Sequence, residues 1–246
     1  MKSTKAVVLL SGGLDSCTTL AIALNTHNKE DVVTVSVAYG QKHSRELECA
    51  QKVSEYYEVR HEVIDLSQIF KYSNGSLLRQ SDKEVPEGSY AEQIDKTASG
   101  IVSTYVPGRN ALMLCSVASL GMSIFPDDDI VIYLGNHADD AAGNAYPDCS
   151  KEFSDAIAKA IYTGSGKQVT VATPLVNMNK AEVVATGLKY DAPFELTTSC
   201  YNGKDRACGV CGTCFDRYSA FKANRVIDPI PYAVEMDWTG CKEYKK

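Results

Sequence analysis

Residues 11–16, which read SGGLDS, have a pattern that suits phosphate binding. They follow the apolar run AVVLL at 6–10, and adjacent glycines let the backbone turn tightly and approach a ligand closely. If a helix begins here, the amides of its first turn point at the same anion, and Ser11 and Ser16 add hydroxyl donors. No lysine follows the glycines, so this is not the G-x-x-x-x-G-K-[ST] loop. The alternative is an ordinary strand–turn–helix connection in which Ser or Asp caps the helix.

Four of the nine cysteines form a group near the end of the chain, with the spacing Cys200-x7-Cys208-x2-Cys211-x2-Cys214. Structural zinc takes four tetrahedral ligands, and a closed set of four thiolates leaves no open position for catalysis. We therefore expect a structural zinc site. An iron–sulfur cluster and a redox-active dithiol are the two alternatives that the spacing leaves open.

Strand and helix patterns alternate along the rest of the chain, which predicts an α/β fold with a doubly wound, mostly parallel sheet. The polar segment 67–104 interrupts this pattern and is typical of a functional lid or a disordered loop. We expect an α/β domain over 1–192 and a zinc-binding module with a C-terminal extension over 193–246. The predicted strands are 6–10, 32–38, 59–64, 130–134 and 169–172, and the predicted helices are 17–24, 44–57, 110–119, 151–162 and 180–188.

The composition is that of a globular protein, with 246 residues of which 44% are hydrophobic. A formal net charge of −6 disfavours broad electrostatic binding to nucleic acid, whose phosphates need cations. No apolar stretch reaches the ~20 residues of a membrane span, and the N-terminal segment lacks the long apolar region of a signal peptide. We expect a cytoplasmic protein without direct nucleic-acid or membrane partners.

The SGGLDS loop resembles the SGGxDS fingerprint of the N-type ATP pyrophosphatases, also called PP-loop enzymes. In that superfamily the loop holds the pyrophosphate of ATP, and a substrate oxygen attacks the α-phosphate. The resemblance implies an adenine nucleotide α-hydrolase-like, Rossmann-type fold with ATP and Mg²⁺ as cofactors, and Asp15 either orients the loop or helps to hold the metal. The nucleotide-binding residues that it implies at the loop are Leu9, Leu10, Ser11, Gly12, Gly13, Leu14, Asp15, Ser16, Cys17, Thr18 and Thr19.

The chain as a whole is similar to the 7-cyano-7-deazaguanine synthases of the queuosine and archaeosine pathways. The motifs that carry this resemblance are AYGQKH at 38–43, YVPGRN at 105–110, YPDC at 146–149, TPL at 173–175, KAE at 180–182 and SCYNG at 199–203. The resemblance implies that 7-carboxy-7-deazaguanine, ATP and ammonia are the substrates and that the enzyme is a homodimer. It also implies the path: the carboxylate is adenylated, ammonia displaces AMP to give an amide, and a second activation of the amide oxygen gives the nitrile.

The ends of two predicted strands are expected to face the ligand, because open α/β sheets bind ligands at the carboxyl ends of their strands. Tyr39, Gly40 and Gln41 follow the second strand, and their main chain is a candidate for receiving the adenine. Gly135 and Asn136 follow the fourth strand.

Two cations are candidates for catalysis together with Asp15 and Ser16. Arg109 precedes a helix and can contact phosphate bidentately, although a surface ion pair or an arginine that only starts the helix is the alternative. Lys180 begins a helix and can neutralise phosphate charge, although a solvated lysine is the alternative.

The YPDC motif contributes the candidate substrate residues Tyr146 and Asp148. A carboxylate accepts from two adjacent N–H donors, so Asp148 is a candidate for reading the guanine-like edge; capping the helix near 151 is the alternative. Asn110 is likewise either a helix cap or a ligand contact. The preceding loop at 136–145 is longer than the family leads us to expect, and its His137, Asp139 and Asp140 predict a polar loop more readily than a metal site.

Two other functions remain open from the sequence. One is a related PP-loop ligase, or a defence-system relative, that activates a different carboxylate or amide or transfers the deazaguanine to a protein. The other is a zinc-bearing binding module with an inactive nucleotide fold.

Overall fold

The computed structural model describes residues 4–42, 44–88, 90–94, 101–141, 146–202 and 205–244, without the side chains of 90–91 and 140–141. His43, Gly203 and the end of the predicted loop at 136–145 lie outside these ranges. None of the helices in the described part of the chain combines the length and apolarity that a bilayer crossing requires.

The described strands form one parallel sheet in the order β3-β2-β1-β4-β5. The central strand β1 pairs on both sides, so that Val7 lies opposite Val33 of β2 and Ile132 of β4. This arrangement confirms the predicted fold class. The strands are β1 at Thr4–Leu9, β2 at Val32–Ala38, β3 at Arg60–Asp65, β4 at Asp129–Tyr133 and β5 at Val169–Ala172.

Helices cover both faces of the sheet. Successive side chains of a strand point to opposite faces, and accordingly Ala6 and Val8 pack in one apolar cluster while Val7 packs in another. Helices α1, α2, α7 and α8 contribute to the first cluster, and α4 and α6 to the second. The helices are α1 at Leu14–Leu24, α2 at Arg45–Tyr57, α3 at Tyr90–Ile94, α4 at Arg109–Ile124, α5 at Ala138–Ala141, α6 at Lys151–Gly164, α7 at Lys180–Lys189 and α8 at Gly212–Ala223.

Two helix boundaries differ from the sequence-based expectation by three residues or more, and the other ends of the predicted helices by at most two. Helix α1 begins at Leu14 instead of 17, so the second half of the SGGLDS loop is its first turn. Helix α4 continues to Ile124 and packs Leu114 and Val117 beneath the sheet, which makes its apolar face part of the core.

The described part of segment 67–104 is mostly loop, as expected, and some of it packs against the end of β2; a role as a functional lid stays a prediction. Phe70 and Leu78 of this segment form an apolar cluster with Val106 and with Tyr39, which follows β2. The main chain of Lys42 donates to the Leu77 carbonyl at 2.8 Å. Its few apolar residues therefore anchor this segment, although its average composition is polar.

The C-terminal part of the chain shares the main core. Phe221 of α8 packs edge-on against Phe194, with ring centroids 5.4 Å apart, and Tyr244 contacts the same ring. The boundary expected at residue 193 stays a prediction, and the packing across it is direct.

Candidate active site at the switch point of the sheet

A cleft opens at the carboxyl end of the sheet, where the chain leaves β1 and β4 in opposite directions. Such a switch point is the usual ligand site of an open α/β sheet. The residues that line the cleft are Leu9, Leu10, Ser11, Gly13, Asp15, Ser16, Val35, Val37, Tyr39, Gln41, Glu46, Leu47, Leu77, Arg109, Asn110, Met113, Leu134, Gly135, Asn136, Cys149, Lys180, Thr198, Ser199, Tyr201 and Thr213.

The SGGLDS loop is fixed from below by helix α2. Gly12 has a φ of +84°, and a Cβ there would lie 2.1 Å from the Glu46 carbonyl oxygen and 2.8 Å from the Ala50 amide. The Gly12 carbonyl accepts from the main chain of Thr198 at 2.9 Å. Only glycine permits both this backbone conformation and this close approach, so the loop path depends on it.

The first turn of α1 is open to the cleft. Its N-cap is Gly13, and no side chain caps the helix, so the capping role considered for Ser or Asp is wrong. The Ser16 hydroxyl donates to the Gly13 carbonyl at 3.0 Å and lies 3.1 Å from the Ser11 hydroxyl. Uncapped first-turn amides and the positive end of the helix dipole provide a site for an anion.

Asp15 and Lys180 form an ion pair at the edge of the loop. The Lys180 Nζ lies 2.8 and 2.7 Å from the two Asp15 carboxylate oxygens, and it also contacts the Nε2 atom of the buried His137 at 3.0 Å. The Lys180 main chain donates to the Asp139 carboxylate at 2.7 Å. Lys180 is thus a positioned residue at the cleft, and the solvated-lysine alternative is wrong.

The charge state of Asp15 follows from these contacts. Burial opposes ionisation, but the positive charge of Lys180, with a smaller contribution from His137, lowers the pKa of Asp15 below its ordinary value. Asp15 is therefore ionised at neutral pH and holds Lys180 by charge as well as by geometry.

Arg109 is the first residue of α4, as the helix-start alternative has it, and it also lines the cleft, so it is not a surface ion pair. Its guanidinium lies 5.2 Å from the centre of the Tyr39 ring. Burial acts to lower the pKa of Arg109, but Tyr39 and Asp148 raise it above its usual range, so Arg109 carries a positive charge. Burial also raises the pKa of Tyr39, to about 12, against the effect of Arg109.

Twelve of the predicted site residues line the cleft: Leu9, Leu10, Ser11, Gly13, Asp15, Ser16, Tyr39, Gln41, Arg109, Gly135, Asn136 and Lys180. Gly135 approaches α1 closely, since a Cβ there would lie 2.7 Å from the Thr19 hydroxyl. Burial raises the pKa of the Cys17 thiol, which suits a packing role. The structure places Gly12, Leu14, Cys17, Thr18, Thr19 and Gly40 outside the cleft lining.

Much of the main chain at 39–41 is already hydrogen bonded. The Tyr39 amide donates to the Gln41 side chain at 2.8 Å, and the Gly40 carbonyl accepts from the Arg79 amide at 2.9 Å. The Arg79 side chain donates to the Gln41 carbonyl at 2.9 Å. The adenine contact expected at this main chain stays a prediction, and these three groups already have protein partners.

Tyr146 and Asp148 lie behind the cleft wall and not among the residues that line it. The Asp148 carboxylate accepts a hydrogen bond of 3.3 Å from the main-chain amide of Asn110, near the start of α4. Ser150 caps α6, so capping that helix is not the role of Asp148. Gly108 is the N-cap of α4, so Asn110 does not cap it either.

The four clustered cysteines could bind a metal ion. Their Sγ atoms all lie within 4.8 Å of one another, and those of Cys208 and Cys214 are 3.8 Å apart. Tetrahedral Zn–S bonds of about 2.3 Å require sulfur–sulfur edges of about 3.8 Å, so the donor set fits. No second group of this kind occurs among the described residues, which do not include the side chain of Asp140 from the loop at 136–145.

The structure adds cleft residues that the site prediction missed, chiefly Glu46, Leu77, Thr198, Tyr201 and Thr213. The motif SCYNG contains Tyr201, and Thr213 precedes the last cysteine, so proximity to the cysteines was the available signal. No local pattern marks Glu46 or Leu77, because distant segments bring them to the cleft.

A buried ion pair connects the cysteine module to the cleft. Arg217 of α8 donates to both oxygens of the Asp228 carboxylate at 2.7 and 2.9 Å, with side chains 1% and 0% exposed. Arg217 also donates to the Thr197 hydroxyl at 2.8 Å. The adjacent Thr198 bonds to the SGGLDS loop, so this pair supports the loop from the far side.

Replacing Arg217 with methionine should lower the free energy of unfolding by about 3–5 kcal/mol, because the Asp228 carboxylate stays buried without its partner. Denaturant titration measures the change. The matched control is Lys222→Met. Lys222 is also on α8, and its ion pair with Asp237 is more exposed, so this substitution should change stability far less. Equal effects of the two substitutions would contradict the assignment.

The fold and the loop together define a Rossmann-type nucleotide-binding protein of the PP-loop class. A solved structure of NMN synthetase from Francisella tularensis aligns with 80% of this chain and 65% of its own, with 15% identity and a TM-score of 0.47. The chain belongs to the family described as "Queuosine biosynthesis protein QueC", whose sequence profile matches residues 5–225. This finding confirms the resemblance carried by the motifs.

Two curated relatives illustrate the family. The 7-cyano-7-deazaguanine synthase of Caldicellulosiruptor saccharolyticus is 39% identical over 95% of this chain and 98% of its own length. The 7-cyano-7-deazaguanine synthase of Archaeoglobus fulgidus is 41% identical over 92% of this chain and 89% of its own. The similarity therefore spans both the loop and the cysteine module.

Proposed function

We propose that this chain is an ATP-dependent enzyme that converts 7-carboxy-7-deazaguanine and ammonia into 7-cyano-7-deazaguanine for queuosine-type nucleoside biosynthesis. The observation that carries the proposal is the SGGLDS loop, with the Asp15–Lys180 pair beside it, at the switch point of a chain that belongs to the QueC family.

The loop binds the polyphosphate of ATP. The uncapped amides of the first turn of α1 and the hydroxyls of Ser11 and Ser16 provide the donors. Lys180 adds positive charge at the same edge. Mg²⁺, held mainly by the phosphates with Asp15 as the nearby carboxylate, would neutralise the remaining negative charge.

The chemistry is leaving-group activation. A carboxylate oxygen of the substrate attacks the α-phosphorus, and pyrophosphate leaves with the electron pair of the broken P–O bond. Ammonia then adds to the acyl carbon, AMP leaves, and an amide and a proton are formed. In a second activation the amide oxygen attacks the α-phosphorus of another ATP, pyrophosphate leaves and the amide nitrogen loses one proton. The nitrogen then loses its second proton as the C–O bond breaks, so the oxygen departs with AMP and the nitrile forms. Arg109 stabilises the negative charge that develops near the α-phosphate.

The apolar bed of the cleft, which includes Leu10, Val37 and Met113, provides a surface for the adenine ring. Substrate contact by Tyr146 and Asp148 stays a prediction. Both are connected to the lining, since the Tyr146 hydroxyl lies 3.1 Å from that of Tyr201 and Asp148 accepts from Asn110.

The cysteine module holds a structural zinc ion in this proposal. The bound metal would cross-link the segment that carries Cys200, Cys208 and Cys211 to α8, which carries Cys214. Four thiolates would leave no coordination position open. Tyr201 and Thr213, next to Cys200 and Cys214, line the cleft, so the metal site also shapes the cleft wall. Metal analysis distinguishes zinc from an iron–sulfur cluster.

A homodimer and a cytoplasmic location remain part of the proposal as predictions from the family. Light scattering at micromolar concentration should give twice the mass of the 26.7 kDa chain. A monomer mass would contradict the dimer without affecting the assignment of the cleft.

The decisive experiment incubates the purified protein with 7-carboxy-7-deazaguanine, MgATP and ammonium and follows the products by mass spectrometry. We expect conversion of the acid to the nitrile, dependent on both ATP and ammonium. Release of AMP without nitrile would indicate a relative that activates another substrate, and no nucleotide turnover with any acid would favour a binding module.

A further inference from the structure

One side of the main cleft, next to the phosphate loop, forms a chamber that borders a small adjoining depression. It is defined here by residues that border both the main cleft and an adjoining depression, namely Tyr39, Gln41, Glu46, Leu77 and Tyr201. The two tyrosine rings provide flat surfaces, Leu77 adds an apolar contact, and the Glu46 carboxylate lies among them. Such a chamber suits a flat heterocycle with N–H donors on one edge.

Two acidic residues, Asp15 and Glu46, are found among the described residues that line the cleft. Both oxygens of Asp15 contact Lys180, so this carboxylate already has its partner. Asp148, behind the wall, accepts from the Asn110 amide. Between described residues, no hydrogen bond reaches the Glu46 carboxylate, which leaves its oxygens available to a ligand.

Glu46 lies next to the phosphate loop. It belongs to the first turn of α2, and its carbonyl oxygen would lie 2.1 Å from a Cβ on Gly12. The chamber therefore borders the SGGLDS loop. A base held in it can direct a carboxylate toward the α-phosphate of ATP.

The electrostatic surroundings favour a ligand with N–H donors. Burial raises the pKa of Glu46, while the charge of Arg109 acts in the opposite direction. A partly desolvated carboxylate gains most from charge-assisted hydrogen bonds, and two parallel N–H donors on nitrogens that share one carbon satisfy both of its oxygens. The lactam N–H and the neighbouring 2-amino group of a guanine-type ring present this pair.

The geometry points to Glu46 as the residue that recognises the lactam N–H and 2-amino edge of the deazaguanine ring. This inference rests on the proposed function, because it takes the substrate base from that reaction. It assigns to Glu46 a specificity role in which Tyr39 and Tyr201 supply the apolar surfaces and Glu46 selects the edge.

The test compares wild type with Glu46→Gln on two bases, 7-carboxy-7-deazaguanine and its analogue without the 2-amino group. Loss of a charge-assisted bond should raise the KM of the variant for the natural base about 100-fold and leave the KM for ATP within about 2-fold. Wild type should prefer the 2-amino base by about 100-fold in kcat/KM, and the variant should lose most of this preference.

The matched control is Glu48→Gln, an exposed position on the same helix, which should keep wild-type values. Unchanged melting temperature and ATP affinity of Glu46→Gln show that the fold and the loop are intact. With an active wild type, three results for Glu46→Gln would overturn the inference. They are an unchanged KM for the base, a retained preference for the 2-amino group, and a rise in the KM for ATP in place of the KM for the base. An inactive wild type would overturn the proposed function itself.

Discussion

Replacing Asp15 with alanine is expected to lower the turnover number by about 1,000-fold or more while the protein stays folded. Both carboxylate oxygens of Asp15 hold the Lys180 ammonium at 2.7–2.8 Å, and the lowered pKa of Asp15 keeps this carboxylate ionised at neutral pH. Without it, Lys180 loses its counter-charge and its position at the phosphate loop. Steady-state formation of AMP and nitrile measures the effect.

The pair Asp15–Lys180 should behave as one unit. Asp15→Ala and Lys180→Met should each cause a similar loss of activity, and the double variant should lose little more than either alone. Asp155→Ala, which removes a surface carboxylate paired with Lys151, serves as the control and should keep full activity. If Asp15→Ala retains more than about a tenth of the activity, the role of the loop is misassigned.

Substituting serine for Cys211 should remove the bound metal and lower the melting temperature by about 10 °C or more, since metal binding is coupled to folding. Cys211 is 1% exposed, and its amide donates to the Cys208 sulfur at 3.4 Å. Because Tyr201 and Thr213 of this module line the cleft, affinity for the substrates should fall as well. Elemental analysis and thermal melting measure the two effects.

Cys115→Ser is the matched control, because Cys115 is exposed and lies outside the cluster. It should leave the metal content and the melting temperature unchanged. One metal ion per chain together with an unchanged melting temperature in Cys211→Ser would remove the structural role from this site. If the wild type contains iron and no zinc, the four cysteines are still a metal site, but the zinc assignment is wrong.

The parts of this protein that depend on local pattern were predictable. The uninterrupted apolar runs of β1 and β2 indicate strands buried on both faces, and the spacing from Cys200 to Cys214 indicates a set of metal ligands. The glycine loop after β1 indicates an anion site, because its function depends on contiguous backbone amides. The start of α1 at Leu14 was missed, since the two glycines before it gave no capping signal.

The contacts between distant segments were not predictable. Nothing in the local sequence of Asp148 shows that it accepts from the start of α4, and nothing around Arg217 shows that it pairs with Asp228. Likewise, nothing in the polar composition of segment 67–104 shows that Leu78 is fully buried against the end of β2.

The sequence by itself determined the alternation of strands and helices, the phosphate loop, the cysteine ligand set and the family. Each of these features depends on residues that are close together in the sequence. Only the tertiary structure decided that Lys180 meets Asp15 across 165 positions of chain and that Glu46 faces the cleft. The physical reason is that charge pairing and cleft shape depend on which helices pack on which face of the sheet. That packing is settled by the whole core and not by any short segment.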